Sequence, residues 1–289
     1  MQPAFCKIVI YGAGLIGGSF ALALKKAGAV GEVVGFGRSS ATLEEAKRLG
    51  ILDRIGRDEA AEVCAADLIL VATPVAQMAD IFKRIAPHLG KQTLITDGGS
   101  TKGDVVAAAR ANLEGRLAQF IPAHPIAGAE KSGPDAAKAE LYAGKRVVLT
   151  PLSENAKASV ARVRKAWELC GANVSELSPE EHDGVFAAVS HLPHLLSFAL
   201  VHDLAQRSNR DQLLSFAASG FRDFTRIAAS SPEMWRDICL ANREALLREL
   251  LQYAGELHVL YQALEQGDAA KLEEVFSEAR KVRSAWQQQ

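Results

Sequence analysis

Gly12-Ala13-Gly14-Leu15-Ile16-Gly17 follows an apolar β-rich run, Cys6 to Tyr11, and opens directly into a helical pattern from Ala21 to Lys26. Three glycines at this spacing between a strand and a helix are compatible with few folds, and the flanking elements separate a dinucleotide-binding turn from a merely flexible one. Gly12 permits the tight turn and Gly14 lets a pyrophosphate approach the backbone. Gly17 lets the helix pack close to the strand, so that the first-turn amides, Leu15 and Ile16 included, face an anion.

The rest of the chain extends this reading. Its 289 residues suggest about two domains. Short apolar runs at Val33 to Phe36, Leu68 to Ala72, Thr93 to Thr96, Phe120 to Ala123 and Val147 to Thr150 alternate with helical patterns, as in parallel strands joined by crossover helices. Being apolar throughout, they suit a sheet covered on both faces. After Pro179 the strand-like runs stop and apolar residues recur at helical spacing, from Val185 through Leu246, Leu250, Leu257 and Leu260. The expected fold is α/β: an N-terminal doubly wound Rossmann domain over residues 1–178, then an all-α domain over residues 179–289. Thr42 with Glu45 predicts a capping-box helix start with Gly50 as its stop, and Ser230-Ser231-Pro232-Glu233 predicts another start.

Composition narrows the partners. Lys plus Arg number 33 against 34 Asp plus Glu, a net charge of -1 without a long run of one sign, so neither nucleic acid nor a membrane surface is an expected partner. The apolar runs Ile8 to Leu24 and Gly184 to His202 are interrupted by glycines and by His191, Pro193 and His194, and neither reads as a span or leader. Cys6, Cys64, Cys170 and Cys239 have no CxxC or Cys/His ligand spacing, and read as reduced packing residues of a cytoplasmic protein.

An NAD-preferring site places an acid at the end of the second strand, whereas this chain reads Gly37-Arg38-Ser39-Ser40 there. Arg38 with two hydroxyls suits a 2'-phosphate, which makes NADP the favoured cofactor and NAD the alternative. Three further strand ends bring polar residues to the same sheet edge: Ala72-Thr73-Pro74, Asp97-Gly98-Gly99-Ser100 and Ala123-His124-Pro125. Ala72, Thr73, Pro74 and Asp97 are expected to line the cofactor site. His191 and His194 stand one helical turn apart, but no third ligand lies near and no metal is expected.

His124-Pro125-Ile126-Ala127-Gly128 with Glu130-Lys131-Ser132-Gly133, then Ser190-His191-Leu192-Pro193-His194, then Gly220-Phe221-Arg222-Asp223-Phe224-Thr225-Arg226 occur in that order after the glycine turn. Together they resemble the prephenate and arogenate dehydrogenase family of tyrosine biosynthesis, over most of the chain from Gly12 to Asn242. The resemblance implies an NAD(P)-dependent oxidative decarboxylation of prephenate or L-arogenate, and the apolar surface of the long helices over Leu246 to Leu264 and Leu272 to Val282 predicts a homodimer through the helical half. The resemblance implies His124 as general base, Ser100 orienting His124 and the nicotinamide, Arg226 clamping a substrate carboxylate and His194 holding the side chain. It also suggests Glu130 and Lys131 gating or lining the substrate pocket, and leaves His191 with two readings, a substrate contact or a residue that only fastens the helix near Pro193. His194 tilts the expectation towards prephenate or dual use. No fused mutase or regulatory module is expected before Met1 or after Gln289.

Two other readings remain open at this level. One is a two-domain dehydrogenase of β-hydroxyacid or imino-acid type, although the hydroxyacid enzymes use a lysine in the helical half and none occurs between Lys165 and Lys271. The other is a non-catalytic nucleotide sensor, which would leave His124 and Arg226 without a role.

Overall fold

The computed structural model describes residues 3–129 and 131–286. By packing they form two units, Met1–Asn242 and Arg243–Gln289. The first begins with strands β1 (Phe5–Tyr11), β2 (Val30–Phe36), β3 (Arg54–Ile55), β4 (Leu68–Val71) and β5 (Leu94–Asp97), which form one parallel sheet in the order β3-β2-β1-β4-β5. Helices α1 (Leu15–Lys26), α2 (Ser40–Arg48), α3 (Glu59–Ala65), α4 (Met78–Ile85) and α5 (Gly103–Asn112) are the crossovers.

Strand alternation distributes the apolar residues between two cores. Ile8 and Ile10 of β1 and Leu68 and Leu70 of β4 face one core, with Phe20 and Leu24 of α1. Val9 and Tyr11, with Ile69 and Val71, face the other, with Val63, Phe82 and Val105 from α3, α4 and α5. This is why the central strands read as continuous apolar runs: both faces are covered.

The expected last strands differ. Phe120 makes only a single parallel bridge, to Ile95. The chain then enters a second sheet of β6 (Ala123–Pro125), β7 (Arg146–Leu149) and β8 (Asn173–Glu176), in which β6 is antiparallel to β7 and β8 parallel to it. Pro122 and Pro125 shorten the run, since proline cannot donate to a ladder. Strands β3 and β8, of two and four residues, carry exposed and half-buried side chains and so leave no apolar run to detect. Helix α6 (Lys157–Leu169) precedes β8 and sets Trp167 edge-on against Phe20, ring centroids 4.7 Å apart.

Two predicted helix caps shift by a few residues. The α2 cap is Ser39, whose side chain accepts from Thr42 N at 3.2 Å, and not Thr42 itself. Likewise Ser231, not Ser230, caps the helix that starts at Pro232. Cys6 and Cys64 are exposed and only Cys170 is buried, which corrects the expectation that all four cysteines pack inside.

After β8 only helices follow. Ser178 and Glu181 form a capping box that starts α7 (Pro179–Phe186). A π turn over Ala187–His191 joins it without a break to α8 (Leu192–Ala205). This stretch, Pro179–Ala205, is long and apolar enough by length and composition to cross a membrane. Its polar residues His182 and Asp183 are hydrogen-bonded to the α/β body. Helices α9 (Arg210–Ser215), α10 (Ser219–Thr225) and α11 (Pro232–Ala241) complete the first unit. The second is a hairpin of α12 (Arg243–Gln266) and α13 (Ala269–Trp286).

Candidate active site

The glycine turn has the geometry its sequence requires. Gly12 sits at φ +94°, and a Cβ there would lie 2.6 Å from Ala72 O. A Cβ on Gly17 would come within 2.2 Å of Gly12 O, so the start of α1 reaches β1 only because no side chain intervenes. Gly14 caps α1 without a side-chain hydrogen bond, and no acid lies in the first turn, where Leu15, Ile16 and Gly17 present their amides. Such an end favours an anion.

Beside it opens a cleft of about 970 Å³ lined by Gly12, Gly14, Arg38, Ser39, Ala72, Thr73 and Pro74, with Arg57 on the same wall. Thr73 Oγ1 is buried there without a partner among the described residues. Uncapped amides, a buried hydroxyl and the guanidinium groups of Arg38 and Arg57 fit a dinucleotide, while Arg84 on the same wall is paired with Glu59. Ser40 starts α2 and does not line the cleft, and the Ser39 oxygen is engaged as a helix cap.

Asp97 does not line the cleft either. It is fully buried, forms an ion pair with Lys102, and accepts from Ala123 N at 2.9 Å and Gly99 N at 2.8 Å. Lys102, also fully buried, donates to Ala123 O at 2.8 Å. The pair therefore ties the end of β5 to the first residue of β6, directly under His124. Gly98 connects the same region to the cofactor turn: a Cβ there would touch Ile16 Cγ2 at 2.9 Å and Pro125 Cγ at 3.9 Å.

His124 is half-buried, and its Nδ1 lies 2.8 Å from His182 Nε2. His182 Nδ1 in turn lies 2.8 Å from Asp183 Oδ1. Phe186 packs against both rings, with centroids at 4.8 and 4.5 Å. Asp183 also accepts from Lys102 N and Gly103 N at 2.8 and 2.7 Å, and so satisfies the start of α5. Burial pushes the His124 pKa well below the ordinary histidine value, and the nearby His182 and Lys102 push it further. Burial also lowers His182, against an opposing pull from Asp183. Burial tends to raise Asp183, but hydrogen bonds from His182, Gly103 and Lys102 outweigh it and the carboxyl sits below its usual range. Near neutral pH the two imidazoles are uncharged and the carboxylate is ionised.

The other expected residues divide. His194 is half-buried, donates from Nδ1 to Ser190 O at 2.8 Å and stacks on Trp235 at 3.6 Å between centroids. Burial lowers its pKa, and Arg226 is near enough to lower it further, so those two expected substrate contacts come together on neighbouring elements. His191 is only 1% exposed, its Nδ1 lies 3.1 Å from the Asn242 amide, and its pKa is lowered to about 4, chiefly by burial. It fastens the helix inside the body, the second of its two expected roles, and presents almost no surface for a substrate contact. Ser100 is half-buried in the loop after β5, but among the described residues no hydrogen bond joins it to His124. The side chain that meets the imidazole is His182. Lys131 is exposed, and Glu130 lies outside the described residues. No cluster of metal-ligating side chains occurs among the described residues.

His182 and Asp183 were not legible as site residues. Glu180-Glu181-His182-Asp183 at a helix start reads as an ordinary acidic first turn, and only the fold brings it beneath a histidine 58 positions earlier. The capping-box pattern Ser178-x-x-Glu181 would have located the helix, but not its partner.

A phosphate-binding turn at the carboxyl edge of a parallel sheet, an adjoining cleft and a neutral imidazole on β6 define an NAD(P)-dependent oxidoreductase of the Rossmann type. Residues 20–176 match the family model described as prephenate dehydrogenase, nucleotide-binding domain, and residues 178–278 the model described as prephenate dehydrogenase, dimerization domain. The chain belongs to the prephenate dehydrogenase family. It is 39% identical to a prephenate dehydrogenase of Bacillus subtilis over 96% of this chain and 75% of that one. It is 36% identical to a cyclohexadienyl dehydrogenase of Zymomonas mobilis, over 98% and 97% of the two chains. Among solved structures, Aquifex aeolicus prephenate dehydrogenase in complex with hydroxyphenyl propionate and NAD+ superposes with a TM-score of 0.90 at 35% identity, covering 97% of this chain and 98% of that one.

Proposed function

We propose that the chain oxidises and decarboxylates prephenate, with L-arogenate as an alternative substrate, and that it prefers NADP. The observation that carries this reading is a neutral His124 held beside the dinucleotide turn, with Arg226 and His194 gathered on the helical side. When bound, the nicotinamide supplies the acceptor for the hydride that leaves the hydroxyl-bearing ring carbon. His124 takes the hydroxyl proton as that carbon becomes a carbonyl. The bond to the ring carboxylate then breaks, carbon dioxide leaves, and the freed pair with a returning proton produces the phenol. Arg226 holds the ring carboxylate through its planar fork, and His194 holds the side chain. Ser100, half-buried in the loop after β5, orients the nicotinamide.

Support for NADP comes from Arg38 and Arg57 on the cleft wall and from the absence of an acid at the end of β2. NAD is the second reading, favoured by the NAD+ in the Aquifex aeolicus complex. Nicotinamide absorbance followed with prephenate and with arogenate, each offered with NADP and NAD, tests both choices. Reduction is expected with prephenate and fastest with NADP. Failure of all four combinations would overturn the activity, and a higher kcat/KM with NAD would overturn the cofactor preference.

Arg226→Ala is expected to raise KM for prephenate about 10- to 100-fold with a smaller fall in kcat, the scale of one charge-assisted contact. Steady-state kinetics check this, and an unchanged KM would remove Arg226 from the substrate clamp. We also propose a homodimer. Leu251 and Leu264 of α12 and Val282 of α13 are 77%, 68% and 71% exposed, apolar surface that a second copy would cover. The family's second domain is named for dimerisation. Sedimentation at micromolar concentration is expected to show a dimer, and a stable monomer would reject it.

A further inference from the structure

We infer that Asp183 and His182 act as a tautomer lock on His124, positioning residues that hold the bare nitrogen of the base towards the substrate. The inference rests on the reading of His124 as the proton acceptor and adds how its protonation state is set.

The order of donors follows from the chemistry of the groups. An ionised carboxylate only accepts, so at 2.8 Å from Asp183 Oδ1 the His182 Nδ1 must carry hydrogen. A neutral His182 with Nδ1 protonated has a lone pair at Nε2. That lone pair faces His124 Nδ1 at 2.8 Å, so His124 donates from Nδ1. His124 is then left with a lone pair at Nε2, the form that can accept the hydroxyl proton without first losing one of its own. Once Nε2 is protonated, the positive charge on His124 remains hydrogen-bonded through His182 to a carboxylate.

The end of the relay is rigid. Asp183 is held by the amides of Lys102 and Gly103 at the start of α5, and Asn242 Nδ2 donates to its backbone oxygen at 2.8 Å. A Cβ on Gly103 would lie 2.9 Å from Asp183 Oδ2, so the carboxylate sits against backbone that leaves it little room to turn. Phe186 closes over both imidazoles. The charged groups around the pair are Lys102, paired with Asp97, on one side and Asp183 on the other, and His191 on the same helix is bonded to Asn242.

Long-range nitrogen–proton NMR correlation of the histidine side chains tests the lock without turnover. The expected spectrum of the native enzyme near neutral pH has His124, assigned by loss of its signals in His124→Asn, protonated at Nδ1 and bare at Nε2. In His182→Leu the proton is expected to redistribute towards Nε2, with kcat falling about 100-fold and KM for prephenate changing less than about threefold. His182→Gln is expected to restore most of the rate, because a carboxamide oxygen accepts from His124 while its NH2 group donates to Asp183. A native His124 protonated at Nε2, or a His182→Leu enzyme within about threefold of native turnover, would overturn the lock. Failure of the base assignment is read separately, from the turnover of His124→Asn.

Discussion

His124→Asn is expected to lower kcat with prephenate by about 1,000-fold, within the range a positioned general base contributes. Asparagine keeps a polar group of similar reach but has no nitrogen able to take a proton. Cofactor and substrate affinity, measured by fluorescence titration, should move by less than about threefold, since His124 is proposed to act on the reacting hydroxyl and not on the anionic ends of the substrate. The pH profile supplies a second check. Burial, with His182 and Lys102 nearby, depresses the proton affinity of His124, so the base stays neutral until the pH falls below its ordinary value of 6.5. The acid limb of kcat/KM is therefore expected below 6.5 in the native enzyme and absent in the variant. A loss smaller than about tenfold, or an unchanged acid limb, would remove His124 from the chemistry.

Lys102→Met should have the largest effect on stability. The Lys102–Asp97 pair is fully buried, and removing the ammonium leaves a carboxylate in the interior with only the amides of Gly99 and Ala123 as donors. Breaking such a pair from one side costs about 3–5 kcal/mol, because the remaining charge has lost its partner but not its desolvation. Urea unfolding followed by circular dichroism is expected to show that loss. The double variant Asp97→Leu with Lys102→Met should regain much of it, since apolar replacement removes both charges from the interior. A single-variant loss below about 1 kcal/mol would mean that solvent reaches the pair, contrary to its burial.

The same pair shows why the site was only partly legible in the sequence. Asp97 at a strand end reads as a ligand contact, because polar residues at the carboxyl edge of an α/β sheet commonly face the ligand. Whether its side chain turns out to the cleft or in to the body depends on the ammonium five residues later and the amide 26 residues later, which local pattern does not reveal. The choice between the two roles of His191 depends on the same kind of contact: helical spacing from His194 places the two on adjoining turns, but only the packing of Asn242 shows that one of them points inward. Strands β3 and β8 escaped notice because an edge strand of a few half-buried residues carries no apolar run.

The residues alone determined what depends on local conformation and composition. A turn that tolerates no Cβ at Gly12 or Gly17 must be written in glycine, central strands covered on both faces must be continuously apolar, and a helical half must repeat its apolar residues at helical spacing. Tertiary structure decided what depends on pairing between distant segments: the second sheet with its antiparallel β6, the inward turn of Asp97, and the contact that places His182 and Asp183 behind His124. The physical reason is one of range. Steric limits and burial act on each residue within its own turn or strand, whereas a hydrogen bond between imidazoles 58 residues apart exists only after the chain has closed.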